Sequence, residues 1–366
     1  MIKSKWLFSK KLDLTILFIP VWLIWIWAFG NKERLDGQDL PLWAWVVFII
    51  FLDVSHVWST LYRSYFNTYD RSKHKKRLLW TPLIAFPVLA GVAMFSVQLF
   101  WGLMAYFAIY HFMKQQYGFM ALYLYKNKSD KKLVKHISDK LVIYVSMLYP
   151  VLFWHFDNSR NFNWFIEGDF IPVHLVFDDL SIVFEIGNWL YFIFIAIWLG
   201  EELWGAIRNN QKIVWGKILW VLTTALNWYL GIVYFNSDFV FSITNVVAHG
   251  VPYIALVMYY NWREMKMVEP RVQNNHMIFK IGLMLTSILF IAFFEEYLWD
   301  MLVNQEHQLL FETIVPFWVE FNDSPLFQGI FIGLLALPQV VHYLLDGFIW
   351  KMDKFNPKLK MILTDE

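Results

Sequence analysis

Apolar stretches of about 20 residues recur from one end of the chain to the other, and short polar segments separate them. A stretch of this length lets an α-helix cross the hydrocarbon core of a bilayer. We therefore predict about ten membrane-spanning helices, whose limits follow the apolar residues. The predicted spans are Leu12–Gly30, Pro41–Tyr62, Trp80–Gln98, Phe100–Tyr123, Leu141–Phe156, Phe184–Ala206, Val214–Phe235, Phe239–Tyr260, Ile278–Leu298 and Phe327–Trp350.

The charges between the predicted spans alternate in sign from one segment to the next. Lys and Arg dominate every second segment, as in the run from Arg71 to Arg77, whereas the long segments that begin at Asp157 and Asp300 are acidic. Because cytoplasmic loops are enriched in Lys and Arg, this alternation predicts that both termini and all basic loops are cytoplasmic. The segments 157–183 and 299–326 then face outward, and their aromatic residues predict interfacial helices that lie on the bilayer.

The composition narrows the class of protein. The 366 residues are 58% hydrophobic and 20% aromatic, and the mean hydropathy is +0.43, values that soluble domains rarely reach. We predict an all-α polytopic transmembrane bundle, a single integral membrane domain over residues 1–366, in a bacterial inner membrane. The net charge of +1 indicates little about partners, because the charges are sorted by segment, but the lack of a large basic patch outside the short loops argues against nucleic acid. The predicted partners are membrane lipids and a lipid-soluble small molecule that enters from the bilayer.

Four histidines fall inside predicted spans. They lie in the second, fourth, eighth and tenth spans, which the charge alternation orients in the same direction: His56, His111, His249 and His342. Ionisable residues inside a bilayer are energetically unfavourable and usually mark a functional site. The chain contains no Cys, which excludes thiolate ligands and iron–sulfur clusters. We therefore predict the four histidines as the ligands of a buried metal ion.

Each of these histidines has a polar residue about one helical turn away along its own span. The polar neighbours are Asp53 for His56, Gln115 for His111, Asn245 for His249 and Asp346 for His342. A metal-bound imidazole usually donates its second N–H group to a carboxylate or carbonyl, which fixes the tautomer and the ring orientation. We predict that these four polar residues are catalytic groups that act by orienting the ligands.

The number of metal sites depends on how deep each histidine lies in the bilayer. His56 and His342 are seven and nine residues from the next cytoplasmic charge, whereas His249 is fourteen residues from Arg263. At about 1.5 Å per residue, His249 differs in depth from His56 and His342 by roughly 9 Å. Helix tilt, or breaks near Gly250–Pro252 and Leu337–Pro338, would bring the four ligands to one site. Without such tilt or breaks, the four histidines would form two separate sites.

The ligand chemistry favours an oxidoreductase. Neutral imidazoles without thiolates suit iron, copper or zinc. Four imidazoles around Fe²⁺ leave coordination positions open for dioxygen and a substrate, and apolar surroundings exclude water and suit a lipid-soluble substrate. The leading hypothesis is therefore an enzyme, a non-haem iron oxygenase that acts on an isoprenoid or acyl lipid. Zinc, copper and haem are the alternative cofactors.

The windows around the four histidines resemble motifs of the bacterial and archaeal membrane family that cleaves β-carotene to retinal. That family carries motifs of the types PHGxxD, HFG, HS and PHxxxxD on separate spans. The nearest matches here are SHVW at His56, YHFMKQQYG at His111, AHGVP at His249 and VVHYLLD at His342. No Pro precedes His56, and the Asp after the last histidine is one residue closer. The resemblance implies a helical bundle with histidine-bound iron and oxygen chemistry on a lipid, without establishing carotene as the substrate.

Two other functions remain open at the level of the sequence. A b-type haem protein would use facing histidines as axial ligands for electron transfer. A metal-free membrane acyltransferase or lipid transporter would use a histidine as a general base or proton carrier, with Asp53 or Asp346 as its partner. No inverted repeat is visible, which argues against a transporter. The HxxxH and HExxH patterns of membrane desaturases and zinc proteases are also missing.

Overall fold

The computed structural model describes residues 5–127, 137–157, 159–160, 163–171, 173, 180–210, 212–271, 273–307, 310–311, 324–353 and 356–364. In these residues the regular secondary structure is helical throughout, and no strand occurs among them. The main helices are α1 (Lys10–Gly30), α2 (Leu42–Arg63), α3 (Lys75–Phe95), α4 (Val97–Lys126), α5 (Asp139–Phe156), α6 (Ser181–Arg208), α7 (Trp215–Tyr234), α8 (Asp238–Val268), α9 (Asn274–Asn304), α10 (Pro325–Leu335), α11 (Leu337–Ile349) and α12 (Pro357–Thr364).

Each of the first nine predicted spans overlaps one helix over most of its length, and the tenth, Phe327–Trp350, corresponds to the bent pair α10 and α11. The all-α prediction is confirmed for the described residues. Seven of the helices are long and apolar enough to cross a membrane, or up to eight if the bent pair α10 and α11 counts as one span. These helices indicate a membrane protein. The helix α4, which contains the polar turn Lys114–Gln116, and the 18-residue α5 are not among the seven. Ten spans and cytoplasmic termini therefore stay predictions.

Burial differs strongly between these helices. The most apolar window of α8 is 83% buried and that of α7 is 72% buried, whereas the values for α3, α6 and α9 are 22%, 17% and 22%. An apolar helix face that is not covered by protein is suited to contact with lipid tails. We infer that α3, α6 and α9 present apolar surface to the bilayer, and that α7 and α8 supply internal side chains.

The contacts divide the chain into two compact units. Unit 1 comprises Met1–Ala44 and Tyr106–Pro252, and unit 2 comprises Trp45–Ala105 and Tyr253–Glu366. The boundaries fall inside α2, α4 and α8. Parts of the predicted outward-facing segments 157–183 and 299–326 lie outside the described residues, namely 158, 161–162, 172, 174–179, 308–309 and 312–323, and the interfacial placement of both segments stays a prediction.

Unit 1 has an aromatic core built from α4, α5, α7 and α8. Its buried members are Ile109, Phe112, Met113, Met147, Val151, Trp154, Trp228, Ile232 and Phe241. Trp164, from the segment after α5, packs against this core with its ring 6.2 Å from that of Trp228 and nearly parallel to it. Large aromatic side chains contribute much of the buried apolar surface in such a core. Phe112 of this core contacts both histidines of one of the pairs described below.

Unit 2 contains a close helix crossing that two glycines permit. A Cβ atom added at Gly333 would lie 2.7 Å from the backbone nitrogen of Ala90 on α3, and one at Gly329 would lie 2.9 Å from the carbonyl oxygen of Ala90. Gly329 and Gly333 form a GxxxG pattern, which lets two membrane helices approach closely. This crossing holds α10, and with it the start of α11, against α3.

Of the two predicted helix breaks, one is present and the other is absent. α10 and α11 meet at Ala336 with a bend of 42°, so the predicted break near Leu337–Pro338 is present. Pro338 lies in the first turn of α11, where its missing N–H group is tolerated. The break predicted near Gly250–Pro252 is absent, because α8 continues through Pro252.

A buried arginine connects the ends of α2 and α11 in unit 2. The Arg63 side chain is fully buried, forms an ion pair with Asp70, and donates from Nη2 to the carbonyl oxygen of Ile349 at 2.7 Å. Its guanidinium also lies 4.2 Å from the ring centre of Tyr260 on α8. A buried charge needs such partners, and here they fix the relative position of α2 and α11 near the second histidine pair.

Candidate metal-binding histidine pairs

All four predicted ligands are buried. The exposed fraction is 2% for His56, 3% for His111, 0% for His249 and 1% for His342. Each ring lies close to one other imidazole of its own unit, so the histidines form two pairs. The unit 2 pair is His56 on α2 with His342 on α11, and the unit 1 pair is His111 on α4 with His249 on α8.

The two rings of the unit 2 pair contact each other edge to face. Their centres are 4.9 Å apart and their planes are inclined by 81°. Nδ1 of His56 lies 3.5 Å from Oδ1 of Asp53, as the spacing of three residues predicts. Asp53 is part of a π-helical stretch, Trp45–Val54, that ends just before His56. Such wide turns are rare and are often found at functional sites.

His342 is held by a hydroxyl group from another helix. Its Nδ1 atom is 2.7 Å from Oγ1 of Thr60, which lies one turn after His56 on α2. Oδ1 of Asp346 is 3.7 Å from the same nitrogen, which is too long for a hydrogen bond. The carboxylate instead accepts a hydrogen bond from the Tyr253 hydroxyl at 2.6 Å, and that hydroxyl is 2.9 Å from Thr60 Oγ1. Asp346 is thus connected to His342 through two hydroxyl groups.

The rings of the unit 1 pair have almost the same mutual geometry. Their centres are 5.2 Å apart and their planes are inclined by 83°. Phe112 stacks on the His249 ring at 3.7 Å with an interplanar angle of 16°. The Phe112 ring in turn contacts Trp164 and Trp228 edge to face. An aromatic stack therefore fixes the plane of the His249 imidazole.

Gln115 has a different partner from the one predicted. Its Nε2 atom donates to the backbone carbonyl oxygen of His249 at 2.8 Å, so it links α4 to α8 rather than orienting the ring of His111. Asn245 is buried on α8, one turn before His249. Of the four predicted orienting residues, Asp53 lies beside its histidine and Asp346 reaches its histidine indirectly.

Three residues that contact the pairs were not predicted. Thr60 and Tyr253 contact His342, and Phe112 contacts His249. Thr60 follows His56 by four residues and Tyr253 follows His249 by four, so both lie one helical turn from a candidate ligand. A search of that turn for hydroxyl groups, as well as for carboxylates and amides, would have found them.

The donor set of each pair is compatible with a metal ion. In each unit, two imidazoles from different helices contact each other edge to face. An aromatic core lies beside the unit 1 pair, whereas Asp53, Thr60 and Tyr253 lie beside the unit 2 pair. Nδ1 of His342 is engaged by Thr60, which leaves Nε2 as the nitrogen that would coordinate a metal. Imidazole nitrogens suit Fe²⁺, Cu²⁺ and Zn²⁺ better than Mg²⁺ or Ca²⁺.

No protein-family model, curated protein or solved structure matches this chain. The resemblance to the carotene-cleaving family therefore stays a prediction from the four sequence windows.

Proposed function

We propose that this chain is a membrane-embedded, metal-dependent oxygenase that acts on a lipid or isoprenoid substrate. Non-haem iron is the metal, and the histidines of the two pairs are the proposed ligands: His56, His111, His249 and His342. The observation that supports this proposal most is that four buried histidines, each from a different helix, form two imidazole pairs. Buried histidines inside a membrane protein are usually functional, and ligand sets of imidazole without thiolate suit iron.

The side chains around the pairs have distinct tasks in this proposal. Bound iron would supply the redox chemistry and the activation of dioxygen. Thr60 and Asp53 orient the imidazoles of the unit 2 pair, and Phe112 fixes the ring plane of His249. The apolar core around Phe112 excludes water from the unit 1 pair, which protects reactive species.

The ring geometry favours non-haem iron over haem. A haem bound by both histidines of one pair would lie between the two rings, each ring pointing at the iron from opposite sides. The rings of both pairs are instead in edge-to-face contact, with centres 4.9 and 5.2 Å apart. That separation leaves no space for a macrocycle between the members of either pair.

The metal content of the purified protein tests the proposal. We expect detergent-purified full-length protein, prepared without chelators, to contain iron by inductively coupled plasma mass spectrometry and to lack a Soret band. Each of the single variants His56→Ala, His111→Ala, His249→Ala and His342→Ala should lose most of the iron. His276→Ala is the matched control, because His276 is exposed on α9 and should leave the iron content unchanged.

Each of the other outcomes would contradict part or all of the proposal. A Soret band would replace the proposal by a haem protein. Full iron occupancy in all four alanine variants would remove the histidines from the ligand set. Protein without metal would favour the metal-free acyltransferase or transporter, in which one histidine acts as a base. Iron without oxygen uptake on any lipid or carotenoid of a substrate panel would leave a metal protein that is not an oxygenase.

A further inference from the structure

Four polar side chains of unit 2 form a continuous hydrogen-bonded chain that ends on His342. In order they are Asp346, Tyr253, Thr60 and His342, and we call this chain the unit 2 relay. The successive distances are 2.6 Å from Tyr253 OH to Asp346 Oδ1, 2.9 Å to Thr60 Oγ1 and 2.7 Å from Thr60 Oγ1 to His342 Nδ1. The three helices α2, α8 and α11 each contribute to it.

Proton counting gives the direction of each hydrogen bond. The Tyr253 hydroxyl donates its single proton to Oδ1 of Asp346. The Tyr253 oxygen must then accept from Thr60, and it also accepts from the indole N–H of Trp350 at 3.2 Å. The one proton of Thr60 is therefore used towards Tyr253. Towards His342, Thr60 has only lone pairs to offer.

We infer that the unit 2 relay fixes neutral His342 in the tautomer that carries its proton on Nδ1 and its lone pair on Nε2. Because Thr60 Oγ1 can only accept from His342, Nδ1 has to be the donor. Thr60 and Tyr253 are thus positioning residues that determine which nitrogen of His342 is reactive. Asp346 sets the direction of the relay although it is too far from the imidazole to bond with it.

Burial excludes bulk water as an alternative hydrogen-bond partner for the relay. Tyr253 and His342 are each 1% exposed and Thr60 is 4% exposed, so bulk water is not available to replace a missing donor or acceptor. A buried group that loses its partner bears the full desolvation penalty. The relay therefore has to be satisfied internally, and reversing one bond requires reversing them all.

The inference deepens the proposed function and rests on it for one point, namely that Nε2 binds iron. The tautomer itself follows from the hydrogen bonds and holds for the metal-free protein. In a metal site, the N–H group opposite the ligating nitrogen raises ligand basicity when it is hydrogen-bonded. In a metal-free enzyme, the same tautomer would make Nε2 the general base.

The tautomer is measured on metal-free, full-length protein in detergent by long-range ¹H–¹⁵N correlation with ¹⁵N-labelled histidine. The His342 signal is assigned by its loss in His342→Gln. We expect protonated Nδ1 in the wild type and in Thr60→Ser, which keeps the hydroxyl. In Tyr253→Phe the Thr60 proton is released from its acceptor and can turn to His342, so the Nε2–H tautomer should become populated. A wild-type His342 signal with the proton on Nε2 overturns the inference, whether or not the Thr60 and Tyr253 variants fold.

Metal affinity provides a second readout. Tyr253→Phe should weaken Fe²⁺ binding by about 10- to 100-fold, whereas Thr60→Ser should stay within about threefold of the wild type. An unchanged tautomer in folded Tyr253→Phe would contradict the inference even if iron still bound. The two failures are distinguishable: the expected tautomer without iron binding overturns the proposed function alone. Iron binding with protonated Nε2 in the metal-free protein overturns the relay alone.

Discussion

The two histidine pairs have nearly the same ring geometry but different supports. In unit 2, His342 receives its orientation from a hydroxyl group that is connected to a carboxylate. In unit 1, His249 is held by the stacked ring of Phe112, and the nearby amide of Gln115 contacts the backbone of His249 rather than its ring. One support is directional and polar, and the other depends on side-chain shape.

This difference matters because the two supports control different properties of an imidazole. A hydrogen bond at one nitrogen decides which nitrogen carries the proton, whereas stacking fixes the ring plane and leaves the proton unassigned. The unit 2 pair should therefore be sensitive to the loss of a single oxygen atom. The unit 1 pair should be sensitive to the loss of side-chain volume.

Removal of a whole pair should give the largest effect. If both pairs supply ligands, the double variants His56→Ala/His342→Ala and His111→Ala/His249→Ala should each lower Fe²⁺ affinity by roughly 100-fold or more, beyond the usual effect of an orienting residue. Affinity is measured by competition with a chromogenic chelator on detergent-purified protein. Normal iron binding in one of the two double variants would restrict the metal site to the other unit.

Loss of the stacked ring should give the next largest effect, and it should act on stability. Phe112→Ala removes a buried ring from the aromatic core of unit 1 and should lower the free energy of unfolding by about 3–5 kcal/mol. Phe112→Leu keeps most of the volume and should lower it by about 1–1.5 kcal/mol. Unfolding is followed in mixed micelles. A loss below about 1 kcal/mol in Phe112→Ala would mean that packing does not hold the unit 1 pair.

The positions of the helices were largely readable from the sequence, because apolar runs of about 20 residues are distinctive. The predicted span Phe184–Ala206 corresponds closely to α6, Ser181–Arg208. Agreement is poorer for Phe239–Tyr260, because α8 continues to Val268, and for Phe327–Trp350, which is divided between α10 and α11. Whether a helix continues past a proline was harder to predict. α8 continues through Pro252, whereas α10 and α11 are bent just before Pro338. In a membrane helix, neighbouring groups can satisfy the backbone that a proline leaves free, and local sequence does not reveal those neighbours.

The histidine pairs show more clearly that local sequence does not reveal contacts with other helices. Helical periodicity correctly placed Asp53 beside His56, since both belong to one helix turn. It could not give the partner of His342, because Thr60 is 282 residues away in the chain, nor the bond between Thr60 and Tyr253, which are 193 residues apart. Contacts within a helix follow from spacing, but contacts between helices depend on how the helices pack.

The smallest expected effect distinguishes the two supports most sharply. Gln115→Leu removes the hydrogen bond from Nε2 to the carbonyl oxygen of His249, but a carbonyl inside a helix also accepts the N–H group four residues further on. The Oε1 atom of Gln115 is buried and has no hydrogen-bond partner among the described residues, so its removal relieves a desolvation penalty. We therefore expect a change of at most about 1 kcal/mol in stability and less than about threefold in Fe²⁺ affinity.

Gln116→Leu is the matched control for that variant. It removes Oε1, which accepts from the Thr224 hydroxyl at 2.9 Å, and Nε2, which donates to the carbonyl oxygen of Ala248 at 3.4 Å, so it should lower stability more than Gln115→Leu. Unfolding and chelator competition are measured on both variants beside Tyr253→Phe. If Gln115→Leu lost as much iron affinity as Tyr253→Phe, both pairs would depend on polar support. The contrast between a pair held by packing and a pair held by hydrogen bonds would then be wrong. The amide contact to the His249 backbone would control the ring of His249 as strongly as the relay controls His342.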